Sequence, residues 1–530
     1  MHSYNSVERV WYGPKVTSVF HPDASAGKVL EFVMKQHYPR IGLVFEPTGE
    51  QWTYEKILKT ACIIAQNILK KGLTQDDVIG ICASNTLFVT PLALAALMIG
   101  VPMSTLDPSF DKDGIKHMYK ITKPKIMFCD GKILQKVTES FEELGNQVEI
   151  FVVDVNNGKG TIDEFLEGTG EMFTSLPLKY GGDHSAIYLP SSGSTGLPKA
   201  VRISHKSLIT STFIEPTSTD TVFCFSTLYW ISGLVTFFQP ALNGAKRIIT
   251  NQPFNPEYML RVIEKYKVTI MATPPSQLVL IGQSPILPTT DLSSLTLYIL
   301  AGGAIPFHIL QKVKQFMPNA IISGGYGCSE LAACCTTGEV KAPNANGHVR
   351  ENHEITIIDD DGNNLGVGDT GEIVVKRPTN WLGYHGNEEA TKGIWINGCI
   401  YTGDLGYFDE NETLFVVDRK KEILKYKNFH YSPNEIEQVI LELPEVVEVS
   451  VVGIPDLIMT DLPAAAVVKK ENSFLSEKDI YDHVARKMVD FKHLRGGVYF
   501  VDAVPKTASG KNLRRIVKEM LTKLYNAKNV

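Results

Sequence analysis

The sequence predicts an α/β protein of two domains. A large N-terminal domain of layered α/β subdomains plus a small β subdomain is followed by a small, mobile α+β C-terminal domain. Three observations carry this. The chain has 530 residues, too many for one compact core. Helix-period and strand-like segments take turns through its first half, the pattern of a layered α/β domain. A lysine-rich junction, Asp418-Arg-Lys-Lys-Glu-Ile-Leu-Lys-Tyr-Lys-Asn428, precedes a shorter stretch where the alternation begins again. The boundary is expected between Asp418 and Arg419, giving domains 1–418 and 419–530.

In chain order, Leu58, Ala61, Cys62, Ala65 and Leu69 share one helical face, and Gly72 marks its C-terminal end. Val78 to Cys82 is a buried-strand candidate, Thr90 to Met98 an alanine-rich helix before Gly100, and Val148 to Val153 another strand. Val201 to His205 passes from strand into helix. The apolar runs Leu295 to Leu300 and Ala320 to Ile322 each end in glycines, Ala301-Gly-Gly-Ala304 and Gly324-Gly-Tyr-Gly-Cys-Ser-Glu330, expected as turns at strand ends. Ligands bind at such ends in open α/β sheets. From Glu354 to Asp418 the strand-like runs Ile355–Ile358, Gly371–Arg377 and Leu414–Val417 alternate with Asp/Gly/Asn turns, which predicts the β subdomain. Beyond the junction come a helix (Asn434 to Leu443), two strands (Val446 to Val452, Ala464 to Val468) and a helix opening on Ser476-x-x-Asp479, which resembles a capping box.

Composition narrows the function. With 44% hydrophobic and 21% charged residues the chain reads as soluble and globular. A net charge of −6 argues against general nucleic-acid binding. The charge is unevenly spread: residues 419–530 carry +4, leaving −10 on the rest, as expected of a basic lid over phosphates. The eight cysteines form no Cys-x-x-Cys pair, so reduced thiols in an intracellular protein are expected. No signal-peptide pattern opens the chain, no apolar stretch is long enough to span a membrane, and Asn526-Ala-Lys-Asn-Val530 is not a Ser-Lys-Leu address. A monomer or weak homo-oligomer is expected, in the cytoplasm or the peroxisome.

The most chemically loaded stretch is Tyr188-Leu-Pro-Ser-Ser-Gly-Ser-Thr-Gly-Leu-Pro-Lys199. Gly193 and Gly196 let the backbone turn sharply, Ser191, Ser192, Ser194 and Thr195 add hydroxyls, and Lys199 adds a full charge, a set suited to a polyanion. It matches neither a Walker A loop nor a nucleophile elbow. By itself such a stretch is as readily a surface turn. Likewise Tyr401-Thr-Gly-Asp404 taken alone reads as a turn, and a lone His205 as structural.

Ser-Gly-Ser-Thr-Gly-Leu-Pro-Lys followed by a small residue resembles the phosphate loop of the adenylate-forming enzymes: acyl-CoA synthetases, 4-coumarate–CoA ligases and beetle luciferases. Gly-Tyr-Gly-Cys-Ser-Glu330, Thr-Gly-Asp404 and Pro-Lys-x-x-x-Gly-Lys511 resemble that family's later motifs, in family order. The phosphate loop and Leu494-Arg-Gly-Gly-Val498 are most similar to luciferase-like insect acyl-CoA synthetases and 4-coumarate–CoA ligases.

The resemblance implies ATP, Mg²⁺ and coenzyme A; at the pocket it implies, Gly302, Gly303, Gly324 and Gly325 take up little space, which leads us to expect a fatty acid of medium or long chain as the acid. It implies that Tyr326 stacks on adenine, with Gly303, Ala304, Gly325 and Gly327 around it. Ser329 and Lys199 lie near the phosphates, Glu330 and Thr195 hold Mg²⁺, and Asp404 takes the ribose hydroxyls, with Arg419 at ribose or phosphate. Lys511 serves adenylation, and Lys425 and Lys427 enter on a domain rotation to line the pantetheine tunnel. Tyr229, Trp230, Gly302 and Gly324 border the acyl pocket, where luciferases carry a His pair. Ala200 and Asn428 stand where the family has Gly. Rival readings are a 4-coumarate-type ligase, a luciferase-like monooxygenase, an adenylation domain that charges a carrier protein and a nucleotide-binding pseudoenzyme.

Overall fold

The computed structural model describes residues 2–21, 23–155, 158–171, 173–191, 198–210, 214–303, 305–427, 429–506 and 512–528. Among them four β-sheets organise the chain, three before the junction and one after it. A nine-stranded sheet has a parallel centre, running from Ile321–Cys328 through Leu297–Ala301, Ile270–Thr273, Thr221–Phe223 and Lys246–Ile249 to Ile41–Phe45. A six-stranded sheet carries Ile79–Cys82, Met103–Leu106, Ile126–Cys129 and Glu149–Val152 in parallel, with an antiparallel hairpin at one side. The hairpin strands are Ser185–Pro190 and Ala200–Ser204. The third sheet is the β subdomain.

Helix character follows the burial each sequence allows. The helix Tyr54–Lys70 is amphipathic, and Thr53 caps it by accepting from the Lys56 N–H. The helix Val89–Ile99 is apolar all round, and all eleven residues are buried, as expected for a core helix packed on both sides. It lies against Ala26–Gln36 and Tyr54–Lys70. Gly27 permits the first contact: a Cβ there would sit 2.4 Å from the Leu97 carbonyl. His205 opens the helix His205–Thr210 fully buried, its Nδ1 accepting from the Ala26 N–H at 3.1 Å. This is the structural role expected of a lone histidine.

Two expectations fail for one reason. Gly324 to Gly327 do not form a turn. They lie inside the strand Ile321–Cys328, because a further strand, Ala333–Glu339, pairs with it antiparallel. Gly327 is required there, since a Cβ would lie 2.2 Å from the Ala333 carbonyl oxygen. Thr402-Gly-Asp404 likewise sits within the strand Cys399–Phe408, at a register shift against Gly371–Lys376. Gly403 takes φ +71°, and Thr402 Oγ1 donates to the Ile373 carbonyl and accepts from the Asp404 N–H. Tertiary strand pairing overrides local turn propensity in both.

Beyond the junction, Val446–Asp456 and Thr460–Lys469 form a long antiparallel pair, extended by Leu424–Tyr426, Phe429–Tyr431 and Gly497–Phe500. The helices Pro433–Ile440, Glu477–Lys487 and Arg514–Lys528 cover this sheet, and the apolar core draws on residues 424–521. Ser476 and Asp479 close the capping box that the sequence suggests. At the centre of this domain's polar framework, Arg514 binds both Glu437 oxygens at 2.9 Å and Glu422 at 2.9 Å, 3.9 Å from Asp418.

Removing one member of that buried set leaves uncompensated charge. Arg514→Met should cost about 3–5 kcal/mol in the C-terminal domain's chemical unfolding. Adding Glu437→Met should recover part of the loss; equal loss in the single and double variants would show that the pairing contributes nothing. Burial also holds the His205 imidazole down at about 3. Its folded value lies below the unfolded one, so its contribution is complete above about pH 6.5 and is lost as pH falls toward 3. His205→Gln should therefore flatten the acid side of the melting-temperature profile.

Candidate active site

On either side of residues 192–197 the chain is fixed by a pair of hydrogen bonds. The Ser191 N–H donates to the Lys199 carbonyl at 2.7 Å, and the Lys199 N–H donates to Ser191 Oγ at 3.0 Å. These bonds form a hairpin clamp, continuous with the strand register Ala200↔Pro190. Ser192, Gly193, Ser194, Thr195, Gly196, Ala304, Asn428 and Lys511 lie outside the described residues.

Tyr384 organises what lies beside the clamp. Its hydroxyl donates to Glu330 Oε1 at 2.7 Å, and the Lys199 ammonium lies 5.0 Å from its ring centroid, a cation–π contact. The Tyr384 segment is sewn to the hairpin by Arg202 N–H to Gly383 O and His385 N–H to Ala200 O. Arg377 donates to the Glu330 carbonyl at 2.8 Å from the other side. Burial, reinforced by the neighbouring Glu330 carboxylate, pushes the Tyr384 phenol far up, so it stays protonated and donates.

A second group forms at the other end of the same motif. The Tyr326 hydroxyl donates to Asp404 Oδ2 at 2.8 Å, and Arg419 Nε lies 3.4 Å from Asp404 Oδ1. Burial, then the adjacent carboxylate, pushes the Tyr326 phenol well up. Ser329 begins the short turn Ser329–Leu331 between the two groups, and Gly325 is paired within the strand to Ala301 and Thr337. Tyr326 and Glu330 thus hold carboxylate chemistry at both ends of five residues.

The pocket-side expectations fare unevenly. Gly302 and Gly303 are exposed; among the described residues no atom comes within 4 Å of a would-be Cβ on Gly302, which takes φ +98°, and Pro275 lies 4.0 Å from one on Gly303. Gly324 is different: its Cβ would meet Val340 at 2.9 Å and the Ala345 carbonyl at 3.0 Å, because strand pairing fills that side. It does not open a channel there. The Tyr229 ring is also core, buried with Leu106, Ile115 and Met118 and edge-on to Phe110 at 5.2 Å. Trp230, edge-on to Tyr229 at 4.2 Å, is only partly buried. Lys425 lies in the C-terminal strand Leu424–Tyr426 and Lys427 in the turn after it, their N–H groups donating to the Asp461 carboxylate and the Met459 carbonyl. Neither is bonded to Glu330. Sequence reading missed Tyr384 and Arg377. The only signal was Trp381-Leu-Gly-Tyr384, an aromatic pair around glycine that ordinarily reads as packing.

A layered α/β domain with two tyrosine-tethered carboxylates beside a clamped hairpin, and a small C-terminal domain after it, is the architecture of an AMP-binding enzyme. Residues 30–385 match the AMP-binding enzyme family and residues 435–511 its C-terminal domain, so the chain belongs to that family. It is 31% identical to a probable 4-coumarate–CoA ligase 1 of Dictyostelium discoideum, over 90% of this chain and 91% of that one. It is 32% identical to a luciferin 4-monooxygenase of Luciola mingrelica, over 97% and 98%. The fold is shared with an anthranilate CoA ligase in complex with anthranoyl-AMP, at TM-score 0.87 and 21% identity, covering 96% of this chain and 99% of that one. Among the described residues no helix is long and apolar enough to cross a membrane.

Tyr384→Phe removes one hydrogen bond to a charged acceptor. Acid-dependent pyrophosphate exchange should fall about tenfold or more, with the melting temperature little changed. Unchanged exchange would mean that Glu330 needs no such tether.

Proposed function

We propose that this protein is an AMP-forming acid–CoA ligase with a fatty acid of medium or long chain as its acid. The observation behind the reading is the pair of groups flanking residues 326–330: Asp404 with Tyr326 and Arg419, and Glu330 with Tyr384 and Lys199. An ionised carboxylate accepts only, which suits Asp404 to ribose hydroxyls. Lys199 at the loop's base supplies charge to phosphates.

On this reading the acid's carboxylate, ionised at neutral pH, attacks the ATP α-phosphorus and displaces pyrophosphate. The protein positions the reactants and neutralises charge; no base is needed. Among the described residues no three His, Cys, Asp or Glu side chains cluster as a dedicated metal cage. A single carboxylate, Glu330, fits Mg²⁺, which is commonly held by one or two carboxylates together with substrate phosphates. Glu330 and Thr195 would hold it, and when bound it supplies charge neutralisation. Lys511 serves this first half-reaction. The C-terminal domain then turns about Asp418–Arg419 and brings Lys425 and Lys427 to the tunnel. There the CoA thiol attacks the acyl carbonyl and AMP departs.

For the acid, the exposed Gly302 and Gly303 carry no side chain that would block an acyl chain, which suits a fatty acid. The names of the 4-coumarate–CoA ligase relatives favour a second reading, an aromatic acid. AMP release across saturated acids of graded length, 4-coumarate and luciferin, with and without CoA, separates them. A saturated acid should give the highest kcat/KM, and Gly303→Leu should shift the optimum to shorter chains. A clear preference for 4-coumarate would overturn the fatty-acid reading.

Lys511→Ala should lower acyl-adenylate formation on the order of 10²-fold or more while sparing thioester formation from supplied acyl-AMP. Equal loss in both half-reactions would overturn the two-orientation scheme.

A further inference from the structure

A cavity of about 490 Å³ lies between the N-terminal segment and the β subdomain. Its size falls within the range of small-molecule sites, about 300–1,000 Å³. Its wall is pre-built. The Asn352 side chain accepts from the Val16 N–H at 3.0 Å and donates to the Val16 carbonyl at 2.8 Å, while the Asn352 N–H donates to the Pro14 carbonyl. The N-terminal segment is thereby strapped along residues 350–354, with Val16 to His21 facing the cavity.

The charge of the lining is unbalanced. Lys15, Lys206, Lys376 and Arg377 all line it, against one carboxylate, Glu354. That carboxylate is already shared, 3.5 Å from Lys15 and 3.1 Å from Lys376. His21 is turned to Asp23, 3.9 Å away. Lys206 has no acidic partner among the described residues. Arg377 is 7% exposed, and its Nε has no hydrogen-bond partner among the described residues. Its other nitrogens donate to Ser207 Oγ at 2.8 Å, Thr379 Oγ1 at 3.0 Å and the Glu330 carbonyl, all neutral acceptors. Burial without an acidic partner lowers its pKa to about 10. That Nε carries under 1 Å² of accessible surface, so Arg377 adds positive charge behind the wall and contact with an anion falls to the lysines.

We propose that this cavity binds a phosphate-bearing small molecule, held by Lys15, Lys206 and Lys376 with the Arg377 charge behind them. Hydroxyls of Thr17, Ser18 and Thr210 stand in the same lining, and Phe20, Ile209 and Pro378 offer apolar surface to an organic portion. The site is separate from the nucleotide site proposed above and does not depend on that reading. The two share one side chain, since Arg377 also holds the Glu330 carbonyl.

The test is isothermal titration of the full-length protein with inorganic tripolyphosphate and, separately, with a nucleoside diphosphate, AMP being held saturating throughout. The wild type is compared with Lys206→Ala, Lys206→Arg and Lys15→Ala/Lys376→Ala, each first shown to melt like the wild type. Loss of Lys206 should weaken binding about tenfold, Lys206→Arg should restore most of it, and the double variant should lose about a hundredfold. Tighter binding of the nucleoside diphosphate assigns an organic phosphate; equal or tighter binding of tripolyphosphate assigns an inorganic one. Affinity unchanged across the variants, or no binding of either probe, overturns the proposal.

Discussion

Successive residues of a β-strand point to opposite faces, and the end of the strand Leu414–Arg419 uses that constraint to serve two domains at once. Arg419 turns to Asp404, and through it to Tyr326, in the N-terminal domain. Asp418, one residue earlier, is 6% exposed and accepts from Ser432 Oγ, the cap of the first C-terminal helix. Arg514 approaches the same carboxylate from the last helix. One peptide unit therefore joins the candidate nucleotide site to the polar framework of the small domain. Its backbone is held as well, since Asp418 Oδ1 accepts from the Arg419 N–H. The backbones of both residues are laddered to Asp404 and Leu405 in the N-terminal sheet, while the Asp418 carboxylate binds the small domain.

The candidate site is assembled from strand interiors as much as from loops. Ile321–Cys328 is flanked by strands on both sides, so Tyr326 is fixed by ladder pairing before its hydroxyl meets Asp404. The irregularity at Thr402–Asp404 breaks an otherwise regular edge and sets the direction of Asp404. Tyr384 connects the hairpin clamp, Lys199 and Glu330, and the hydrogen bonds from residues 383–385 to the hairpin hold it in place. A polar network with each member tied to a rigid element is preorganised, which is the arrangement charge stabilisation requires.

The sequence by itself determined the periodic elements and the order of the motifs. Tyr54–Lys70, Ile79–Cys82, Val89–Ile99 and Glu477–Lys487 were legible because amphipathic spacing, apolar runs and a capping box are local signals. So were the two-domain α/β architecture and the family resemblance, carried by short contiguous strings. What only the tertiary structure decided is which residues meet. Tyr384 lies 54 residues from Glu330 and Arg377 lies 47, and no local pattern joins them. Gly324 looked like free space in the sequence and is filled by Val340, because Ala333–Glu339 returns to pair with its strand. Tyr229 and Trp230 are adjacent in the chain, yet one ring is core and the other partly exposed, since a turn residue and the extended N-cap that follows it send their side chains to different surroundings. Turn propensity at Gly325-Tyr-Gly327 lost to strand partners 7 to 12 residues away, and Asp404 is laddered to Arg419, 15 residues on, a competition that chain-local reading cannot weigh.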